Sequence, residues 1–301
     1  MTATNATAPG QNIFVELAKY MTHLESNTGG VRQVVELGVA SAFLQVFLGT
    51  DWCSRNIRPV ATPDKWIQNR LRSDVTGTSW ITHFHRIIRL ADACFTLTNS
   101  QAVGLDVLRG RFHARPTKPC YIEAQIASLQ VANGFRVEIV GESGLRGRDF
   151  DLIARRDGIE LNIEVTGKDE IPLSAKTIRN TLTSKRTQLP TTGPAVVYMH
   201  IPANWTQDKK AAQAIFSEAF IDVFSRSRRF NAVVLVWEYV MGTPDGGTSG
   251  VEVWPCHNNN PRHPFDRDLL DLPCDADGRP RFTNSFYDFL KGVQTRHIHK
   301  S

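Results

Sequence analysis

Residues 149–168, DFDLIARRDGIELNIEVTGK, decide the fold of the chain. Two short apolar segments containing β-branched residues stand on either side of Asp157-Gly158, a dipeptide that favours the tight turn between antiparallel strands. The stretch therefore predicts a β-hairpin whose first strand is DFDLIARR and whose second strand is ELNIEVTG.

The segment before the hairpin predicts one helix and one strand. Residues 120–133, CYIEAQIASLQVAN, have a helical pattern that Gly134 closes, and residues 135–140, FRVEIV, form a short strand. The glycine-rich stretch 141–148, GESGLRGR, is then the loop that leads into the hairpin.

Helices and strands alternate after the hairpin. Polar and amphipathic patterns predict helices at 174–188 and 208–225, while AVVYMHIP and NAVVLVWEYV predict strands at 195–202 and 231–240. The apolar runs of these strands are nearly continuous, as in strands that are buried on both faces of a sheet. The predicted fold class is therefore α/β.

The flanking regions have different patterns. Residues 11–50 predict two helices separated by a break at 27–30, Asp64 is a candidate cap for a helix beginning at KWIQNRLRS, and residues 78–95 predict another helix. The last sixty residues are turn-rich and end in a short helix near 285–293. The pattern divides the chain into three regions. They are a helical region at 1–115, an α/β domain at 116–260 and an irregular extension at 261–301.

Composition limits the class of protein. Of the 301 residues, 41% are hydrophobic, enough for a sizeable core, and the five cysteines form no CxxC pair that would indicate a disulfide framework or a zinc site. No window approaches the roughly 18 apolar residues that span a bilayer, so we expect a cytoplasmic protein without a membrane partner. The net charge of +5 and the pI of about 9.0 suit an anionic partner.

Three carboxylates fall at the ends of the predicted central elements. Glu123 lies on the helix before the first strand, Asp151 near the start of the hairpin and Glu164 near its end. Hairpin geometry brings Asp151 and Glu164 to the same edge of the sheet, and a charge within the apolar segment LNIEVTG needs a partner or a metal ion. Because Mg²⁺ binds one or two carboxylates together with water and phosphate oxygens, the pattern predicts a metal site.

The order of these elements resembles the PD-(D/E)xK phosphodiesterase superfamily. The matching segments are EAQIASLQVANGFRVEIV, GLRGRDFDLIARRDG and IELNIEVTGK, within the stretch that begins at Glu123 and ends at Gln188. The superfamily has a helix bearing a Glu, a strand, an Asp that opens a hairpin, and (D/E)xK on the second strand of that hairpin. The resemblance implies a restriction-endonuclease-like mixed sheet flanked by helices. It also implies hydrolysis of DNA or RNA with Mg²⁺ or Mn²⁺.

The resemblance assigns roles to the carboxylates. Asp151 and Glu164 would bind the metal ion, and Glu123 would complete or polarise the site from its helix. Asp149, two residues before Asp151 on the same predicted strand face, is the alternative first ligand. Gln188 matches the place where some relatives carry a glutamine that supports the metal site or the DNA.

The motif lysine is the main departure from the family. Thr166 stands where the lysine is expected, and a hydroxyl cannot supply the positive charge that steadies the developing negative charge. Lys168, in phase if the strand continues past Gly167, and Lys185, on the following helix, are the two candidate replacements. The alternative is a catalytically inactive relative that binds nucleic acid or a protein partner.

Arginines supply the candidate contacts to nucleic acid. Arg146 and Arg148 in the glycine-rich loop are predicted to approach the phosphate backbone, and the alternative is that they are solvated. Arginines of the helical region, Arg111 among them, are candidates for a nucleic-acid-facing patch beside the site, although most are expected to be ordinary surface residues. The pattern does not separate DNA from RNA, and a homodimer is a candidate assembly.

Overall fold

The computed structural model describes residues 9–57, 78–145, 147–168, 172–243, 246–271 and 285–298. Its contacts divide the chain into two compact units. Met1–Thr96 and Asn284–Ser301 make up the first, here called the helical unit, and Leu97–Thr283 makes up the second, the sheet unit. Within the described ranges no helix is long and apolar enough to cross a membrane.

The helical unit confirms the predicted break near residue 27. Its helices are α1 (Pro9–Asn27), α2 (Arg32–Leu48), α3 (Thr50–Asn56), most of α4 (Thr78–Asn99) and α9 (Phe286–Ile298). Aromatic rings fill its core: Phe14 contacts Phe95 and Phe289, and Phe286 lies against Phe43. The predicted cap Asp64 lies outside the described residues.

The two compact units differ from the three regions that the sequence pattern predicts. The predicted C-terminal helix is present as α9, but it belongs to the helical unit, because Phe286 and Phe289 pack into that unit's aromatic core. The boundary near residue 97 also assigns residues 97–115 to the sheet unit.

The sheet unit confirms the predicted α/β class. Six strands, β1 (Arg136–Ile139), β2 (Leu152–Arg156), β3 (Ile159–Gly167), β4 (Ala195–His200), β5 (Ala232–Thr243) and β6 (Gly246–His257), form one mixed sheet in that order. Strands β3, β4 and β5 run parallel, and the other neighbouring pairs are antiparallel. The helices of this unit are α5 (Leu105–Ala114), α6 (Thr117–Ala132), α7 (Ala175–Lys185) and α8 (Lys209–Arg226).

The predicted hairpin is present, and its turn sets the register of the site. Asp157 and Gly158 have φ values of 53° and 77°, the left-handed pair that a two-residue turn between right-twisted strands requires. Leu152 pairs with Ile163, so the same register continued by one residue places Asp151 opposite Glu164. A one-residue slip would move these carboxylates to opposite faces, which makes the turn essential for the site.

Helices cover the two faces of the sheet. On one face, Leu182 of α7 and Phe216 of α8 pack with Val197 and Met199 of β4 in one apolar core. On the other face, α6 is buried along nearly its whole length, and its Gln130 Nε2 donates to Tyr198 Oη at 2.9 Å. Strand β4 is buried at every position, as its continuous apolar run predicts.

The interpretation of the last sixty residues as turn-rich is wrong for 246–257. These residues form β6, which pairs along its whole length with β5. Glycine, serine and Pro255 weaken the local strand pattern, whereas pairing with the long β5 supplies the backbone hydrogen bonds. The strand is therefore a product of tertiary context.

Gly104, the residue directly before α5, is a position where a larger residue is expected to destabilise the fold. It has φ of 80°, and a Cβ there would lie 2.3 Å from the carbonyl oxygen of Ile139. We expect Gly104→Ala to lower the free energy of unfolding by about 2–3 kcal/mol, measured by urea denaturation. Gly110→Ala, inside α5 with nothing within 4 Å of its added Cβ, should instead be neutral or stabilise by up to about 1 kcal/mol. Equal effects of the two changes would contradict this account.

Candidate functional site

A cleft of about 530 Å³ lies in the sheet unit where β2 begins and β3 ends. Ionisable side chains dominate its lining. Five are carboxylates and three are cations: Glu123, Glu142, Asp149, Asp151, Glu164, Arg111, Arg115 and Lys185. With all eight ionised, the formal charge of this set is −2.

Asp151 and Glu164 both line the cleft, and the hairpin register places them opposite each other, as predicted. The Oδ2 atom of Asp151 accepts a hydrogen bond of 2.8 Å from the backbone N–H of Val165. Glu164 is only 1% exposed, and its Oε1 atom lies 2.5 Å from Lys185 Nζ. Its Oε2 atom is buried and has no hydrogen-bond partner among the residues that the structure describes. A buried oxygen without a donor is costly, so this atom marks a position that a ligand could occupy.

Burial sets the protonation of these groups. It raises the pKa of Glu164 to about 8, with the neighbouring charge of Asp151 adding to the effect and Lys185 opposing it. The pKa of Asp151 is also raised, mainly by burial, and the N–H of Val165 opposes that shift. Without a further positive charge, the two carboxyls therefore disfavour ionising together.

Glu123 is held by two arginines. Its Oε2 atom lies 2.7 Å from Arg111 Nη1, and its Oε1 atom lies 3.3 Å from Arg115 Nη1. Burial and the charge of Asp151 nevertheless raise the pKa of Glu123 to about 7. Both oxygens of Glu123 thus face guanidinium groups, so its contribution to the cleft is to position these cations.

The structure distinguishes the two candidate lysines. Lys185, in the last turn of α7, lines the cleft together with Thr166 and Gln188. Lys168 follows the end of β3 and is not among the described residues that line the cleft; its backbone N–H donates to His200 O at 2.9 Å. Of the two candidate lysines, Lys185 is therefore the one that lies at the carboxylate pair.

The loop before β2 places its candidate residues differently from the prediction. Asp149 lines the cleft, but β2 begins only at Leu152, so the placement of Asp149 on the strand face is wrong. Its Oδ1 atom accepts hydrogen bonds from the N–H and Oγ of Ser143, each at 2.7 Å, and these contacts lower its pKa. Arg146 lies outside the described residues. Arg148 is exposed, and its approach to phosphate stays a prediction.

Arg115 is the residue that the sequence interpretation missed, and Arg111 is one that it placed only in a candidate patch beside the site. The expectation that arginines of this region lie on the surface is wrong for Arg111, which is 6% exposed and lies 3.8 Å from Asp151 Oδ1. Arg111 lies in the last turn of α5, and Arg115 is the residue that follows this helix, directly before the helix of Glu123. The sequence pattern does not set these two arginines apart from the others of the region.

The carboxylates do not form a ready-made three-ligand metal centre. Among the residues that the structure describes, no group of three or more His, Cys, Asp or Glu side chains could hold a metal ion. The chain matches no model of a known protein family, no curated protein and no solved structure. Geometry and charge are therefore the basis on which the chemistry of the cleft can be inferred.

The raised pKa values predict how stability depends on pH. Glu164 ionises near its ordinary pKa of 4.5 when unfolded but near 8 when folded, so the folded state binds more protons between these values. We therefore expect the free energy of unfolding, measured in EDTA, to fall as pH rises from about 5 to about 8. Glu164→Gln should flatten this dependence, and Glu160→Gln on the exposed part of β3 is the control. A slope in Glu164→Gln as steep as in the wild type would contradict the assignment.

Proposed function

We propose that this cleft is the active site of a metal-dependent nuclease with a restriction-endonuclease-like fold. The observation that carries the proposal is the base of the cleft, where Asp151 and Glu164 oppose each other across a hairpin and Lys185 contacts Glu164 at 2.5 Å. The mixed topology of the sheet supports the proposed fold, because an antiparallel hairpin is followed by the parallel strands β3 and β4.

The donor set fits a divalent cation. Asp151 and Glu164 supply hard carboxylate oxygens, and the Oε2 atom of Glu164 has no hydrogen-bond partner within the described ranges. A doubly charged ion would balance the formal charge of −2 in the cleft. Two protein ligands are sufficient for Mg²⁺ or Mn²⁺, which keep water and phosphate in the remaining positions. Such an ion, when bound, activates water and stabilises the charge that develops on the phosphate.

Lys185 supplies the positive charge of the motif lysine, which Thr166 cannot supply. Its side chain reaches the carboxylate pair from α7 and stays about one quarter exposed, so its ammonium group borders the open cleft. There it can orient a water molecule and stabilise negative charge on the phosphate oxygens. Glu123 supports this arrangement by holding Arg111 and Arg115 in place.

A binding-only relative is the second candidate function. The observation that favours it is that Asp151, Glu123 and Glu164 each lie within 3.8 Å of an arginine or lysine nitrogen. Such ion pairs would let the cleft persist as a purely structural feature. The partner of the nuclease is DNA or RNA, in keeping with the net charge of +5, and the partner of the binding-only protein is nucleic acid or another protein.

A cleavage assay separates the two functions. The full-length chain would be incubated with end-labelled single-stranded and double-stranded DNA and RNA in Mg²⁺, in Mn²⁺ or in EDTA. The proposed function predicts cleavage only when a metal ion is present. Binding without cleavage of any substrate would favour the second candidate, and cleavage that continues in EDTA would contradict the metal-dependent mechanism.

A further inference from the structure

We infer that Arg115 is a phosphate-binding residue of the cleft and that Glu142 occupies its guanidinium until a phosphate of a nucleic-acid strand displaces it. The inference rests on the proposed function, since it assigns the contact through which the same cleft holds its substrate. Four observations support it. They are the backbone conformation of Arg115, the solvent exposure of its side chain, its two carboxylate partners, and the equal charge of a carboxylate and a phosphodiester.

The backbone of Arg115 fixes its position. Arg115 ends α5 with φ −121° and ψ 163°, and its N–H donates to Arg111 O at 2.8 Å. Pro116 follows directly, and a residue before proline is confined to this extended region. The side chain of Arg115 therefore extends from a conformationally restricted connection between α5 and α6. A rigid backbone of this kind helps to preorganise a binding residue.

Exposure separates Arg115 from Arg111. The side chain of Arg111 is 7% exposed, and it is engaged by Glu123, by the carbonyl oxygen of Val140 and by nearby Asp151. The side chain of Arg115 is 29% exposed and lines the cleft. Arg111 is thus an internal counterion, whereas the guanidinium of Arg115 is within reach of a ligand.

The two partners of Arg115 differ in how firmly they are held. Nη1 faces the buried Glu123 at 3.3 Å, while Nη2 forms an ion pair with Glu142, whose side chain is 67% exposed. Glu142 lies within residues 140–145, which have neither helix nor strand structure. An ion pair with so exposed a partner contributes little, about 0–1 kcal/mol, so its replacement costs little.

A phosphodiester fits the place of Glu142. Arginine N–H groups bind carboxylate and phosphate oxygens alike, so a phosphate oxygen can replace the Glu142 carboxylate at Nη2. A carboxylate and a phosphodiester each carry one negative charge. The charge next to the guanidinium of Arg115 is therefore unchanged when the exposed Glu142 side chain turns into solvent and the phosphate takes its place. Glu123 holds the other edge of the guanidinium throughout and acts as its positioning residue.

Oligonucleotide binding tests the inference. Fluorescence anisotropy of labelled single-stranded and double-stranded DNA and RNA would be measured in EDTA over a series of salt concentrations. We expect Arg115→Gln to weaken binding roughly tenfold, the effect of losing a charge-assisted hydrogen bond, and to reduce the salt dependence by about one phosphate contact. We expect Glu142→Gln to strengthen binding about two- to fivefold, because it removes the competing carboxylate.

Arg179→Gln is the matched control. The side chain of Arg179 is 31% exposed and also contacts two carboxylates, those of Glu218 and Asp222, but it does not line the cleft. Its replacement should leave the affinity unchanged. Tighter binding by Glu142→Gln cannot arise from misfolding, so this variant keeps the test valid if Arg115→Gln is unstable.

The outcomes separate the inference from the proposed function. Two results would overturn the inference even if the wild type cleaves its substrate. In the first, Arg115→Gln keeps the affinity and salt dependence of the wild type. In the second, Arg179→Gln weakens binding as much as Arg115→Gln does. Weakened binding by Arg115→Gln in a protein that never cleaves would overturn the nuclease function and leave the phosphate contact intact. A wild type that binds none of the four probes would overturn the inference as well.

Discussion

Asp151→Asn is expected to reduce metal-dependent cleavage by at least about a hundredfold, because the loss of one charged ligand weakens both metal binding and charge stabilisation. The change is nearly isosteric, and an Asn oxygen can still accept the hydrogen bond from Val165 N–H that Asp151 receives at 2.8 Å. The fold should therefore survive while activity is lost. Glu164→Gln is expected to act in the same direction.

The control for this prediction lies on the same hairpin. Asp157 is 82% exposed in the β2–β3 turn with φ of 53°, a conformation that Asn adopts readily. Asp157→Asn should therefore keep wild-type activity and stability. Cleavage at an undiminished rate by Asp151→Asn and by Glu164→Gln would exclude both carboxylates as metal ligands.

Lys185→Met is expected to lower the cleavage rate by roughly a hundredfold, the effect of removing one group aimed at developing charge. The ammonium of Lys185 is the only cation that contacts Glu164 among the described residues, and its loss should also raise the pKa of that carboxyl further. Lys185→Arg should recover part of the activity, since it restores the charge with a different shape. Rates of all variants would be compared at saturating metal.

Two other lysines make the test specific. Lys176→Met changes an exposed residue in the first turn of the same helix and should have little effect. Lys168→Met tests the other candidate for the motif lysine, and we expect near wild-type activity because Lys168 is not among the described residues of the cleft. Loss of activity in Lys168→Met with retention in Lys185→Met would reverse the assignment.

The sequence was sufficient to predict the hairpin and the position of the carboxylates on it. Asp157-Gly158 specifies one turn geometry, and the period of two along a strand then fixes which residues oppose each other. Asp151 and Glu164 are thus positioned by local rules. The alternation of apolar strands with helices predicted the α/β class for the same reason, since it is a pattern within each element.

The features that the sequence did not predict depend on tertiary contacts. Strand β6 contains glycines and a proline, so its local pattern does not predict a strand. It forms through backbone pairing with β5, which is a tertiary interaction. The burial of Arg111 follows from the approach of α5 to Glu123, which no periodicity within α5 indicates. The choice of Lys185 over Lys168 likewise depends on how α7 packs across the sheet.

The central claim is that Asp151 and Glu164 bind a divalent cation, and a crystal soaked in Mn²⁺ tests it most directly through the anomalous signal of the metal. The account predicts an anomalous peak between the two carboxylates, close to the Oε2 atom of Glu164, for which the described part of the chain offers no hydrogen-bond partner. The peak should disappear in Asp151→Asn. Absence of any peak in the cleft at millimolar Mn²⁺, with Glu164 still paired to Lys185, would contradict the claim.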